Sequence, residues 1–157
     1  MDKSKVEEYF NKGIKEFESK NYDIAIEFFT YVIDQRNNPF INNSYFNRGI
    51  IYSILKEYDP AIKDLSKAIS CQPDMDEAYY ERGGIFLHKG DNESALKDFT
   101  KAIQLNRINE KYYIFRGNVY SNLEKYDEAR PLYEKILQTP DIPQELRDLV
   151  NHHLERL

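Results

Sequence analysis

A recurrence every 34 residues constrains this chain more than any other feature it carries. Gly49, Gly83 and Gly117 are evenly spaced, since 83 − 49 = 34 and 117 − 83 = 34. The same step links Tyr45 to Tyr79 and Tyr113, Arg48 to Arg82 and Arg116, and Ala61 to Ala95 and Ala129. Four residue types do not fall into one spacing by chance. A period of this size marks a repeat architecture, in which each unit buries its apolar face only by stacking on its neighbours.

The unit Asn42–Met75 reads as two helices. Tyr45, Gly49 and Tyr52 lie at offsets of +4 and +3, one face of a first helix, and Ala61, Leu65 and Ala68 repeat that spacing in a second. The linking segment Lys56–Pro60 is polar apart from Tyr58, with Asp59 expected as N-cap and Pro60 at the first helical position. A glycine inside a helix costs about 1 kcal/mol. Three at equivalent places therefore point to helices that must approach closely.

The rest of the chain follows the same scheme. Gly13 to Ala25 spans 12 residues, as does Gly49 to Ala61, so a degenerate first unit runs over 6–39 with Tyr9, Tyr22, Phe29 and Val32 in the expected places. Its step to the next glycine is 49 − 13 = 36, and the surplus falls in the turn-rich segment Asn37–Ile41, where insertion is cheap. Gly90 suits a helix C-terminus. Pro131 is expected at the edge of the first turn of a helix beginning near Asp127, shifting its start or bending it mildly. Beyond it, Asp141 and Gln144 have capping-box spacing, and Leu146, Leu149, Val150, Leu154 and Leu157 form an amphipathic stripe. That stripe reads as a lid on the last unit, with a dimerisation helix as its rival. One elongated domain over 1–157 results, with nine helices.

The chain resembles the tetratricopeptide repeat family, in which a 34-residue unit carries a large residue at position 4, glycine at 8, tyrosine at 11 and alanines at 20 and 27. Tyr45, Gly49, Tyr52, Ala61, Leu65, Ala68 and Pro73 match in 42–75. Tyr79, Gly83, Phe86, Ala95, Phe99 and Ala102 match in 76–109, where Arg107 replaces the usual proline. In 110–143, Tyr113, Gly117, Tyr120, Ala129 and Tyr133 match, while Ile136 stands for alanine. A capping helix follows over about 143–156. The resemblance implies an all-α fold: a right-handed superhelical α-solenoid of antiparallel helix pairs, serving as an interaction scaffold.

The resemblance also implies that first helices line a concave groove. Facing it would be Phe10, Phe46, Tyr80 and Ile114 at position 5, Asn11, Asn47, Glu81 and Phe115 at position 6, Ile14, Ile50 and Asn118 at position 9, and Leu87 at position 12. Large apolar groups there suit binding hot spots, or packing between neighbouring first helices. Relatives that clamp the acidic tails of heat-shock chaperones use basic residues and asparagines at places that here hold Phe10, Ile14, Asn47, Glu77 and Glu81. Only Asn47 fits, and the two glutamates repel an acidic ligand. Lys12, Arg48, Arg82 and Arg116 form a ladder at position 7, expected to pack their stems between helices with their heads in salt bridges.

Composition narrows the function classes. A net charge of −5, with Lys+Arg 22 spread along the chain, disfavours general nucleic-acid binding. Cys71 is alone, so neither an internal disulfide nor a thiolate metal site is expected. His88, His152 and His153 lack metal-ligand spacing, and no phosphate-binding glycine motif or nucleophile elbow occurs. With no signal-like N-terminus and no apolar run of about 20 residues, a cytoplasmic location follows. The expectation is a non-enzymatic adaptor without cofactor, binding a peptide or helix of a partner protein. The alternative is a self-association module forming a homo-oligomer through cap or groove.

Overall fold

The computed structural model describes residues 3–157. Among the described residues there are nine α-helices and no strand: α1 Lys3–Glu18, α2 Tyr22–Asp34, α3 Ile41–Ile54, α4 Tyr58–Cys71, α5 Asp76–His88, α6 Asn92–Leu105, α7 Glu110–Asn122, α8 Tyr126–Leu137 and α9 Gln144–Leu154. No described helix is long and apolar enough to cross a membrane. The chain divides into two compact units, the first ending at Arg82 and the second running from Gly83 to Leu157.

The hairpins close by one device used four times. Lys20, Lys56, Gly90 and Glu124 occupy the same place in successive repeats and all have left-handed backbone, at φ of 62°, 62°, 78° and 57°. The following amide reaches back five residues in each case: Asn21 to Glu16, Glu57 to Tyr52, Asp91 to Phe86 and Lys125 to Tyr120, at 2.8 to 2.9 Å. This is the Schellman arrangement, which satisfies carbonyls orphaned at a helix end.

Side-chain caps matter less. Of the second-helix N-caps, Asn21, Glu57, Asp91 and Lys125, only Asp91 bonds the helix through its side chain, accepting from the Ser94 amide at 3.1 Å. The Ser94 side chain first, and then this amide bond, hold the Asp91 carboxyl below the usual range. Asp59 and Pro60 were expected to begin α4 as cap and first residue, but the helix starts at Tyr58 behind Glu57. The left-handed turn at Lys56, rather than a cap, fixes where it begins.

Each repeat glycine meets a large side chain of the paired helix, and the alanine column is fully buried. A Cβ on Gly13 would stand 2.8 Å from Phe29, one on Gly83 3.0 Å from Phe99, and one on Gly117 2.7 Å from Tyr133. Phe29, Leu65, Phe99 and Tyr133, each 16 residues beyond its glycine, are 0% exposed, as are Ala25, Ala61, Ala95 and Ala129. Burying side chains of this size contributes about 1.5–3 kcal/mol each. Ile136, where the pattern has alanine, is 1% exposed and fills the same core place as Ala68 and Ala102.

Within the first unit α1 packs on α2, α2 on α3 and α3 on α4; within the second α6 packs on α7, α7 on α8 and α8 on α9. The segment 37–41 is more than a cheap insertion. Asn38 is 6% exposed and donates its side-chain amide to the carbonyls of Val32 and Gln35, while its Oδ1 accepts from the Phe40 amide. It ties the end of α2 to the start of α3.

Three further expectations near the C-terminus are corrected. Pro131 lies inside α8, in its second turn, so the helix simply forgoes one backbone hydrogen bond there. Asp141 and Gln144 form no capping box: Pro143 is the N-cap, Asp141 is left-handed at φ 56°, and Gln144 bonds Asp148 instead. In the capping stripe Val150 is fully buried, but Leu149 is 44% exposed. His153, outside that stripe, stacks on Tyr133 and joins α9 to α8.

Candidate functional site

Each first helix presents the positions singled out above, and their surroundings differ sharply. In the first unit Phe10 stacks on Phe40 at 4.9 Å and touches Phe29 at 6.0 Å between ring centroids. Phe10 and Ile14 both pack on the core of Ala25, Phe29 and Ile51. They are therefore packing residues with an outer edge. Asn11 is exposed, while Phe46, Asn47 and Ile50 on α3 are half-buried, and neither asparagine makes a side-chain hydrogen bond with the described residues.

Tyr80 and Glu81 on α5 are half-buried as well, and burial first, then the charge of Glu81, pushes the Tyr80 phenol up from its ordinary value. In the second unit Leu87 and Phe115 are half-buried, the latter 5.7 Å from Phe99. Ile114 is 5% exposed and spent on the core. Asn118 is half-committed: its Oδ1 accepts from Tyr133 Oη at 2.7 Å. The cause is local, because Tyr133 is the one hydroxylated ring in the buried column that faces the glycines, and its polar tip needs a partner.

Leu87, Asn118, Ser121, Asn122, His153 and Arg156 share a concavity of about 400 Å3 in the second unit. Burial, followed by the charges of His152 and Arg156, lowers the His153 pKa.

The cationic ladder is more built than the sequence suggested. Arg48 forks onto Asp64, with Nε to Oδ2 at 2.7 Å and Nη2 to Oδ1 at 3.0 Å, and its Nη1 donates to Thr30 Oγ1 at 2.7 Å. Burial works against its charge, but the bonds to Asp64 outweigh that and raise its pKa. Arg82 donates to Ser66 Oγ at 2.8 Å and Arg116 to Thr100 Oγ1 at 3.5 Å. Leu132 stands where Arg116 would find its carboxylate, so Arg116 Nε is buried without a hydrogen bond among the described residues. Lys12 pairs with Glu8 at 2.6 Å on the surface of α1. The hydroxyl partners Thr30, Ser66 and Thr100 went unread in the sequence, although they recur in phase with the arginines.

Comparison with known proteins agrees with this geometry. Profiles described as Tetratricopeptide repeat match residues 43–75, 76–109 and 110–139. Small glutamine-rich tetratricopeptide repeat-containing protein 2 of Saccharomyces cerevisiae is 39% identical over 71 residues, covering 45% of this chain and 20% of that protein. The chain therefore corresponds to about a fifth of that relative. The first TPR of Spaghetti (RPAP3), solved bound to HSP90 peptide SRMEEVD, is similar with a TM-score of 0.73 at 26% identity, over 79% of this chain and 97% of that one. A tetratricopeptide repeat protein from Parabacteroides merdae superimposes with a TM-score of 0.85 over 96% of this chain and 59% of its own, at 22% identity, a likeness of fold.

Proposed function

The chain belongs to the tetratricopeptide repeat family, and on that premise we propose that it is a non-catalytic adaptor that holds an apolar peptide or helix of a partner protein against its first helices. The observation that carries this reading is the face of α3. Phe46 and Ile50 are only half-buried, and between them Asn47 offers an amide with no hydrogen-bond partner among the described residues. An apolar pair beside an open donor and acceptor suits a peptide backbone with large side chains, and aromatic anchors dominate such contacts. Asn11 repeats the arrangement one first helix earlier, beside Ile14.

The ligand differs in chemistry from the acidic HSP90 peptide held by the Spaghetti domain. Phe10, Ile14, Glu77 and Glu81 occupy the places that clamp residues would fill, and two carboxylates there oppose an acidic tail. The test is capture from native extract by wild type and by Phe46→Ala/Tyr80→Ala. The double variant should lose its specific partner while keeping its helicity and melting profile. Unchanged capture refutes the groove, and saturable binding of SRMEEVD by the wild type refutes the apolar ligand class. The self-association reading is separated by sedimentation over a concentration series, in which a strict monomer removes it.

A further inference from the structure

Between α3 and α4 lies a second concavity, remote in chemistry from the apolar first-helix face. It measures about 250 Å3 and is lined by Tyr45, Arg48, Tyr52, Lys63, Asp64 and Lys67. Three cations face one carboxylate, and that carboxylate is already consumed. Asp64 is 3% exposed and gives both oxygens to the Arg48 fork. The field left in the cleft belongs to the two lysines. Among the described residues neither Lys63 nor Lys67 has an ion-pair or hydrogen-bond partner, and neither tyrosine hydroxyl is hydrogen-bonded. Lys63 and Lys67 stand four residues apart on one helix face, where like charges destabilise the helix by about 0.2–0.5 kcal/mol. A bound anion would remove that repulsion.

The chain contains its own control for this arrangement. Two repeats on, 113 − 45 = 68 and 135 − 67 = 68, so Tyr113 and Lys135 are the counterparts of Tyr45 and Lys67. There the lysine is satisfied internally: its Nζ donates to Tyr113 Oη at 3.0 Å and sits 4.5 Å from the ring centroid, while that hydroxyl donates to the Arg107 carbonyl. Pro131 replaces the second lysine and Leu132 replaces the aspartate. The second repeat thus keeps every donor that the fourth has removed or occupied.

We propose that the α3–α4 cleft is a phosphate-group site, with Lys63, Lys67 and the hydroxyls of Tyr45 and Tyr52 as donors and the Arg48–Asp64 pair as its fixed floor. The two net positive charges of the lining match a phosphate monoester, which carries about −1.5 to −2 at neutral pH. Compact ammonium donors on flexible stems suit such a group without demanding one orientation.

The test follows backbone amides by NMR at constant ionic strength while inorganic phosphate or O-phosphoserine is added. The wild type should show saturable shifts confined to residues 45–67. Lys63→Gln/Lys67→Gln should raise the midpoint at least tenfold, whereas Lys97→Gln/Lys101→Gln, the equivalent pair one repeat on where Phe86 takes the place of Tyr52 and its hydroxyl, should leave it unchanged. Tighter binding of O-phosphoserine identifies a phosphorylated side chain as the source, and equal binding identifies free phosphate; both uphold the site. Absence of saturation, or equal midpoints in wild type and the Lys63/Lys67 variant, overturns it. The outcome is independent of the α3 apolar face, since neither lysine belongs to that face.

Discussion

Gly117 lies so close to the ring of Tyr133 that a methyl group on it would stand 2.7 Å from Cζ and 2.8 Å from Cε1. The ring cannot retreat, because its hydroxyl is tied to Asn118 and His153 stacks on it at 5.2 Å. Gly84 is the contrasting case: a Cβ there would meet nothing within 4 Å. Gly117→Ala should therefore cost about 1–3 kcal/mol through overpacking, while Gly84→Ala should stabilise by about 0.5–1 kcal/mol. Urea denaturation of both variants checks the pair. Equal effects would mean the glycine column is not set by helix approach.

The left-handed turns predict gains where the chain lacks glycine. An L-residue in that conformation costs roughly 1–2 kcal/mol, partly offset by the extra freedom glycine has when unfolded. Lys56→Gly and Glu124→Gly should each raise stability by about 0.5–1 kcal/mol, and Gly90→Ala should lower it by about 1 kcal/mol. Thermal melts decide, and a loss in Lys56→Gly as large as that of a mid-helix glycine would contradict the turn geometry.

These turns also show what the sequence could and could not reveal. The helix pairs were legible because glycine at one place and alanine at another leave a mark at a fixed period, the glycines where a large side chain comes closest and the alanines where nothing is exposed. Lys20, Lys56 and Glu124 carry no such mark. The hydrogen bond back to the end of the first helix goes with their φ, and only alignment with Gly90 could have exposed it. The site was less legible for a related reason. Position along the repeat says which way a residue faces, but not that Phe40, outside the shared pattern, covers Phe10, nor that the hydroxyl carried by Tyr133, where the pattern asks only for a large ring, engages Asn118.

The Arg48–Asp64 pair should respond unequally to loss of either partner. Arg48→Leu strands a carboxylate that is 3% exposed, at a cost of about 3–5 kcal/mol. Asp64→Leu leaves the guanidinium bonded to Thr30, the situation Arg116 already tolerates beside Leu132, and should cost no more than about 1–2 kcal/mol. Adding Asp64→Leu to Arg48→Leu should recover most of the stability. A double-mutant cycle measures this, and additive losses would show that the two side chains act separately.

The C-terminal helix should loosen in acid through His153. Its ring stacks on Tyr133 with an interplanar angle of 2° and faces His152 and Arg156, with Asn118 and Ser121 lining the same concavity. Burial first, and then those two neighbours, lowers its pKa below the ordinary value of about 6.5. The unfolded chain therefore takes up the proton at a pH where the folded chain resists it. Its contribution is complete above about 6.5 and is lost as pH falls through the lowered folded value. Wild type should lose more melting temperature between pH 7.5 and 5.5 than His153→Phe, which keeps a stacking ring without the charge. Hydrogen exchange should place the change in α9 and the facing turn of α8. Parallel pH profiles for the two proteins would remove His153 as the cause.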